Sequence, residues 1–306
     1  MSTAELNSFR RAIAKGRFAA ELLWGRITHQ PRCCPYCGES EELELLRRKK
    51  QIMDILQCRK CLLIYRWPCE SIVENRNYYQ KRYASGATTH LPNVRAVAEM
   101  KARCFKGYPN LDLSAKMRVL KAVKVSGRVL DYGCSWGYGV YQLLAEGFDA
   151  TGFEISEPRA DYGRRNLGVR IITEQSELLQ AGGAKFDLIF TNHVLEHLPA
   201  LSSSLDLFRN LLAAGGVTVN VLPNFAWLAT TAGAGWRWIG EHHPIAPTAE
   251  FFRRNLPRHG FTDIRIASGP FDKRLIEYIG NARTDLIGTE GEELLVVGAK
   301  PVTEGR

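Results

Sequence analysis

Residues 129–154, reading VLDYGCSWGYGVYQLLAEGFDATGFE, constrain the chain more than any other stretch. An apolar run ends in Asp131, and glycines follow at 133, 137 and 139. Val140, Leu143 and Leu144 then recur at helical spacing, and Ala150 to Phe153 close on the acid Glu154. That is strand, turn, helix and strand: one unit of a parallel sheet, with glycines where a ligand approaches the backbone and a carboxylate at the next strand end. The loop reads G-C-S-W-G-Y-G and so departs from the G-x-G-x-x-G dinucleotide fingerprint. Glu154 lies about twenty residues beyond Gly133, the spacing at which a carboxylate accepts hydrogen bonds from ribose hydroxyls.

From residue 127 the alternation is regular. Strand Arg128 to Asp131 precedes a helix over 137–146, strand 150–154, a helix over 157–166 and strand 169–173. Strand Phe186 to Thr191, a helix over 201–213 and strand Val217 to Leu222 after Gly215-Gly216 continue it. Strands alternating with helices of this length imply an α/β domain, doubly wound around a parallel sheet. After Pro223 comes a segment rich in aromatics (Phe225, Trp227, Trp236, Trp238), a helix over 248–258, and strands 262–267 and 293–299 that can pair antiparallel at a sheet edge.

Upstream, Cys34-Pro-Tyr-Cys37 and Cys58-Arg-Lys-Cys61 are two tight CxxC knuckles. Each aims two sulfurs at one point, so the pair can present four thiolates tetrahedrally to a structural zinc ion, Zn2+. Gly38 supplies permissive backbone, and Ile52 to Leu56 and Leu62 to Tyr65 read as flanking strands. Such a metal contributes roughly 10 to 16 kcal/mol in zinc-finger peptides, enough to fold a segment this small. Residues 1–30, with Phe9, Ile13, Leu22 and Leu23 at mostly helical spacing and Lys15 and Arg17 on other faces, read as a basic amphipathic helix. Its expected place is against its own protein, with contact to an anionic membrane surface as the alternative. The expected organisation is this helix, a zinc ribbon over 31–70, a helical connector or substrate cap over 71–125 and the α/β domain over 126–306. The connector opens with Tyr78, Tyr79 and Tyr83, is interrupted by a Gly/Thr/Pro break from Ser85 to Asn93, and resumes as helices from Val94 and Leu113.

The net charge of +9 over 306 residues favours polyanions or phosphate-bearing partners. The surplus is spread, and its one run of four, Arg47 to Lys50, reads as a solvated surface turn. No apolar run approaches the roughly 18 residues of a membrane span, and MSTAELNSFRRAIAK lacks the apolar core of a signal peptide, so a cytoplasmic location is expected.

With its strand-end blocks FDLIFTNHVLEH and the later AGG before Val217, the chain resembles the class I S-adenosylmethionine-dependent methyltransferases, over about 129–300. Ser135 stands where that family usually has its middle glycine, and Ala214 where proline is common. The resemblance implies a Rossmann-like seven-stranded sheet and S-adenosyl-L-methionine as methyl donor. Asp131 and Gly133 would hold its amino-acid end, Ser135 and Gly137 would belong to the same cofactor-binding loop, Glu154 would hold its ribose, Ile155 its adenine face and Glu174 or Gln175 the adenine edge. Asn192 and His193 would sit beside the sulfonium. An alcohol acceptor also needs a base, for which imidazole is the group available near pH 7, and His193, His197, His242 and His243 are candidates. His193-x-x-Glu196-His197 could instead supply ligands to a divalent cation together with a later histidine, as in some methyltransferases acting on RNA ends.

The ribbon, the tyrosine-rich segment and Glu241-His242 resemble zinc-ribbon methyltransferases of deoxysugar nucleotides. By that likeness Tyr79, Tyr83, Glu241 and His242 would line the acceptor site, with His242 the base and Glu241 orienting it. Pro244 to Thr248 depart from those enzymes' pattern. The expected reaction is O- or C-methylation of a small-molecule or carbohydrate-type acceptor. The alternatives are an RNA methyltransferase docking through the ribbon and basic surface, against which stands the lack of an Asn-Pro-Pro-Tyr motif of base-amine methylation, the chain reading Leu222-Pro223-Asn224-Phe225 further along, and a non-catalytic S-adenosylmethionine-binding protein.

Overall fold

The computed structural model describes residues 3–28, 30–81, 83, 91–180, 185–232, 235–281 and 288–302. Part of the break expected over Ser85 to Asn93, residues 85–90, lies outside them. Helix α1 (Thr3–Ile27) runs straight through Gly16 and leans on the ribbon. Leu22 is buried, the Arg66 guanidinium lies 5.2 Å from the Phe18 ring, and Arg26 Nε donates to Ile52 O at 2.8 Å. Gly25 permits this approach, since a Cβ there would stand 2.8 Å from Pro68 Cβ. Phe9, Ile13, Leu23, Trp24 and Ile27 remain exposed.

The ribbon is an antiparallel sheet of β1 (Leu43–Lys49), β2 (Met53–Cys58) and β3 (Ile64–Trp67). The basic run expected to be a turn instead completes β1. The turn follows at Lys50 and Gln51, which take φ of +49° and +62°. Arg48 stays exposed but pairs with Asp54, which is fully buried and also meets Arg26 and Arg32, at 2.6, 2.9 and 3.2 Å respectively. Burial alone would raise the Asp54 pKa, and the three arginines reverse this to a net lowering.

The connector holds α2 (Ile72–Lys81), α3 (Val94–Ala102) and α4 (Ser114–Val123). The alternating part then runs β4 (Arg128–Tyr132), α5 (Tyr138–Ala145), β5 (Asp149–Phe153), α6 (Glu157–Leu167), β6 (Ile171–Ile172), α7 (Gln175–Gln180), β7 (Phe186–Asn192), α8 (Leu201–Leu211) and β8 (Leu212–Pro223). It closes with α9 (Phe225–Ala232), α10 (Gly235–Trp238), β9 (Ile245–Ala246), α11 (Ala249–Asn255), β10 (Thr262–Ser268), α12 (Lys273–Gly280) and β11 (Glu293–Ala299). Seven strands form one sheet in the order β10-β11-β8-β7-β4-β5-β6. Six run in one direction, and β11 enters antiparallel between β8 and β10. The Rossmann-like, doubly wound fold expected from the sequence is the fold observed. Strand order reverses at β4, between β5 and β7, and that switch point is where such sheets bind ligands.

One feature had no sequence signal: β9, two residues long, joins not the large sheet but the ribbon, with Ile64 opposite Ala246 and Tyr65 opposite Ile245. Arg66 N–H adds a bond to Pro244 O at 2.8 Å. Ribbon residues Cys34, Leu56, Leu63 and Tyr65 share a continuous core with Tyr132, Phe153, Phe208 and Phe251 of the larger sheet's layer. A second core, around Phe105, Trp136 and Val140, also joins residues of that sheet, among them Val129, Leu188 and Val297.

Replacing Asp54 by alanine leaves three arginines facing each other without their carboxylate. Because the arginines are partly exposed, the expected loss is roughly 2 to 3 kcal/mol of unfolding free energy, measured by denaturant titration. An unchanged midpoint would show that the cluster holds nothing together.

Candidate active site

The loop leaving β4 carries backbone that only special residues tolerate. Gly133 has φ +81°, and a Cβ there would come within 2.5 Å of Val194 Cγ2. Ser135 takes φ +54°, the left-handed region that glycine usually fills. The serine keeps the turn because both its polar ends are bonded. Its hydroxyl accepts from Arg159 at 2.7 Å, and its N–H donates to Glu154 Oε2 at 3.0 Å. Glu154 Oε1 accepts from Ser156 N–H at 2.7 Å. Two backbone donors therefore fix a buried carboxylate at the end of β5, in the wall of a cleft.

Asp131, at the end of β4 and just behind that wall, is buried too. Burial first, and the nearby Glu154 second, push its carboxyl up to about 7. Among the described residues nothing hydrogen-bonds that carboxylate. Two close buried acids suit a ligand that brings a positive charge and hydroxyl donors, which is the chemistry of S-adenosylmethionine. Gly137, φ +79°, starts α5. Ile155, Tyr79, Tyr83, Asn75, Val194 and Leu198 complete the cleft with His193 and His197.

Some expected residues stand elsewhere. Glu174 and Gln175 do not line the cleft: Gln175 is exposed, and Glu174 pairs on the surface with Arg76 at 2.7 Å. Asn192 is engaged through Oδ1 by Lys116 at 2.7 Å. His193 is in the cleft, with φ +55°, and its ring lies between two carboxylates. Glu293 Oε1 is 2.6 Å from Nε2, and Glu196 Oε1 is 3.4 Å from Nδ1. Burial would lower its pKa, but the two acids overcome this and raise it to about 9. His193 is therefore an imidazolium near pH 7 and suits charge stabilisation in place of the expected proton abstraction. Glu293 and Lys116 gave no sequence signal, because they come from β11 and α4, far along the chain.

A larger cavity, about 550 Å³, lies beside the cleft. α1 contributes Phe18 and Leu22, α2 contributes Tyr78, and the loop before β9 contributes Glu241 and His242. Asn75 and Tyr79 line both spaces, so they form a shared wall. His242 Nδ1 lies 2.9 Å from the Tyr78 hydroxyl, whereas no bond joins it to Glu241 among the described residues. Tyr78, and not Glu241, is thus the hydrogen-bond partner of His242. Tyr83 lines the cleft and not the larger cavity, under the Arg159 guanidinium at 4.3 Å. Tyr79 packs edge-on against Tyr83 and Tyr78 at 4.8 and 5.3 Å. Its hydroxyl is pushed well above the ordinary phenol value by burial.

The ribbon brings Cys34, Cys37, Cys58 and Cys61 together, with all four sulfurs within 4.8 Å of one another. The closest pairs are 3.5 and 3.6 Å apart, near the roughly 3.8 Å edge of a tetrahedron with 2.3 Å zinc–sulfur bonds.

A family model described as a methyltransferase domain matches residues 87–266. The chain belongs to this methyltransferase family. The ubiquinone biosynthesis O-methyltransferase of Cereibacter sphaeroides is 33% identical over 135 residues, covering 38% of this chain and 51% of that protein. The counterpart from Roseobacter denitrificans is 35% identical over 104 residues, 30% of this chain and 39% of that one. The chain thus spans about half the length, or less, of the curated relatives it matches. Among solved structures, the plantazolicin methyltransferase BamL, in complex with a triazolic desmethylPZN analog and SAH, is similar at a TM-score of 0.50. Its identity is 15%, over 74% of this chain and 96% of that one, a likeness of fold. The methyltransferase fold and the cleft at its switch point thus coincide.

The buried acid behind the cleft gives a pH signature. A folded pKa near 7 against the ordinary 3.8 means that Asp131 contributes stability fully below about pH 4 and loses it as pH rises through 7. At about 1.4 kcal/mol per unit, Asp131→Asn should flatten the fall in unfolding free energy between pH 4 and 8 by a few kcal/mol. The same slope in both proteins would refute the assignment.

Proposed function

We propose that the protein transfers a methyl group from S-adenosylmethionine to a small-molecule acceptor, of alcohol or carbohydrate type, held in the larger cavity. The observation that carries this reading is the shared wall: a cleft suited to the donor and a cavity sized for an acceptor meet at Asn75 and Tyr79. The donor supplies an electrophilic methyl on a sulfonium, with a neutral sulfide as leaving group, so holding both partners in line supplies much of the acceleration.

The chain's own residues divide the work. Asp131, Gly133, Ser135 and Gly137 hold the amino-acid end, Glu154 accepts from the ribose hydroxyls, and Ile155 packs on the base. His242, held by Tyr78, takes the acceptor proton as the oxygen attacks the methyl carbon. His193, charged between Glu196 and Glu293, faces the cleft and offsets negative charge that develops on the acceptor. In this reading residues 31–70 are a zinc ribbon in which the four cysteines hold a structural Zn2+, and residues 71–125 act as the substrate cap.

An RNA acceptor fits less well. Arg26, Arg32 and Arg48 on and beside the ribbon converge on Asp54, so these three guanidiniums are engaged within the protein and one of their charges is offset. No described helix is long and apolar enough to cross a membrane.

Methyl-labelled S-adenosylmethionine, incubated with the protein and a fractionated cell extract, tests the acceptor class. Label should appear in the small-molecule fraction. His242→Ala should cut its rate about 100-fold or more, while donor affinity, measured by calorimetry, stays within about twofold. Label concentrated in RNA would overturn the reading. Tyr78→Phe should lower the rate by about tenfold, a positioning effect at the cost of one hydrogen bond.

A further inference from the structure

We infer that Glu196, His197 and His243 form a binding site for a divalent cation, separate from the four-cysteine ribbon. One ligand atom from each residue falls within a sphere of mutual distances no greater than 4.8 Å. A tetrahedral ion with nitrogen and oxygen ligands wants them roughly 3.4 Å apart, so side-chain rotations on the order of 1 Å complete the geometry.

Three observations point the same way. Glu196 is the first: its side chain is 4% exposed, and neither carboxylate oxygen has a hydrogen-bond partner. Its nearest cationic neighbour, His193 Nδ1, stands off at 3.4 Å, and His197 Nε2 lies at 4.0 Å. His193 is shared with Glu293 at 2.6 Å, so the buried Glu196 oxygens, which accept no hydrogen bond, keep lone pairs to offer a metal ion. The second is how the histidines are held. His197 bonds through Nδ1 to His242 O, and His243 through Nδ1 to Trp238 O at 2.9 Å. A carbonyl can only accept, so each Nδ1 carries the proton and each Nε2 keeps its lone pair. That is the arrangement in which a backbone carbonyl fixes a metal-binding imidazole. The Trp238 indole stacks on His243, 5.6 Å between centroids and 9° from parallel, and holds the ring's orientation. The third is assembly. Glu196 and His197 follow β7, whereas His243 stands just before β9, and the pairing of β9 with the ribbon brings the two segments to one place.

The donor set defines the ligand. One carboxylate and two neutral imidazoles, with no thiolate, suit Zn2+, Mn2+, Fe2+ or Co2+. Three protein ligands leave positions open, unlike the closed set of four cysteines. His197 also lines the donor cleft, so an ion here would stand where an acceptor oxygen can be polarised. That use rests on the acceptor reading above, whereas metal uptake does not.

The test uses the full-length protein with its ribbon loaded with zinc, titrated with Co2+ and followed by absorbance and calorimetry. One further Co2+ per chain is expected, with weak d–d bands and no thiolate charge-transfer band. Glu196→Gln and His243→Ala should each weaken Co2+ binding at least tenfold while zinc stays at one per chain. The half-buried His243 carries the test if Glu196→Gln fails to fold. No uptake beyond the ribbon's zinc, or equal uptake by His243→Ala, would overturn the site and show that His193 alone neutralises Glu196. Loss of methyl transfer with normal Co2+ uptake would instead count against the acceptor reading.

Discussion

Two residue pairs between β3 and β9 hold the candidate site together. Ile64 against Ala246 and Tyr65 against Ile245 tie the ribbon to the segment that comes after Glu241-His242-His243. That pairing, with Arg66 Nε donating to Gly240 O at 2.8 Å, helps fix the loop carrying His242 and His243 relative to the switch point of the sheet. The ribbon therefore acts as a clamp: its small sheet captures β9, and β9 helps fix the histidines. Asn255 Nδ2 donating to Cys61 O at 2.8 Å, and Tyr36 meeting His259 Nε2 at 2.7 Å, add two more ties between ribbon and sheet domain.

Electrostatics set the division of labour inside this frame. Four buried or half-buried carboxylates, Asp131, Glu154, Glu196 and Glu293, ring the switch point. Glu196 and Glu293 are held down to about 2, each against burial, by His193, with Lys116 adding to it at Glu293. Asp131 and Glu154 are raised instead, because burial dominates there. One side of the cleft is thus already neutralised, and the other awaits a cationic ligand. That asymmetry matches a donor whose charge lies between an amino-acid end and a sulfonium.

The sheet was legible because its signals are local. The glycine turn, the strand-end acids and the 3.6-residue periodicity each lie within one stretch of chain, and even Ser135 took the glycine conformation that the motif requires. The acceptor side was legible only in part. His242 and Tyr79 were visible as residue types in a pattern, but their partners were not. Tyr78, and not Glu241, holds His242, and Glu293 charges His193 from about a hundred residues away in sequence. Contacts of that range depend on β9 and β11, and a two-residue strand such as β9 carries no periodicity to read. Glu174 stands outside the cleft for a related reason: β6 is only two residues long, and Glu174, just past its end, pairs outward with Arg76.

The central claim is that Glu154, fixed by Ser135 and Ser156, recognises the donor's ribose at the switch point. Titration calorimetry of S-adenosylmethionine into the wild-type protein and Glu154→Ala tests it most directly. With two charged hydrogen bonds lost, each worth roughly 1.5 to 3 kcal/mol, the variant should bind at least about 100-fold more weakly while its circular dichroism is unchanged. Equal affinity in a folded variant would contradict the account.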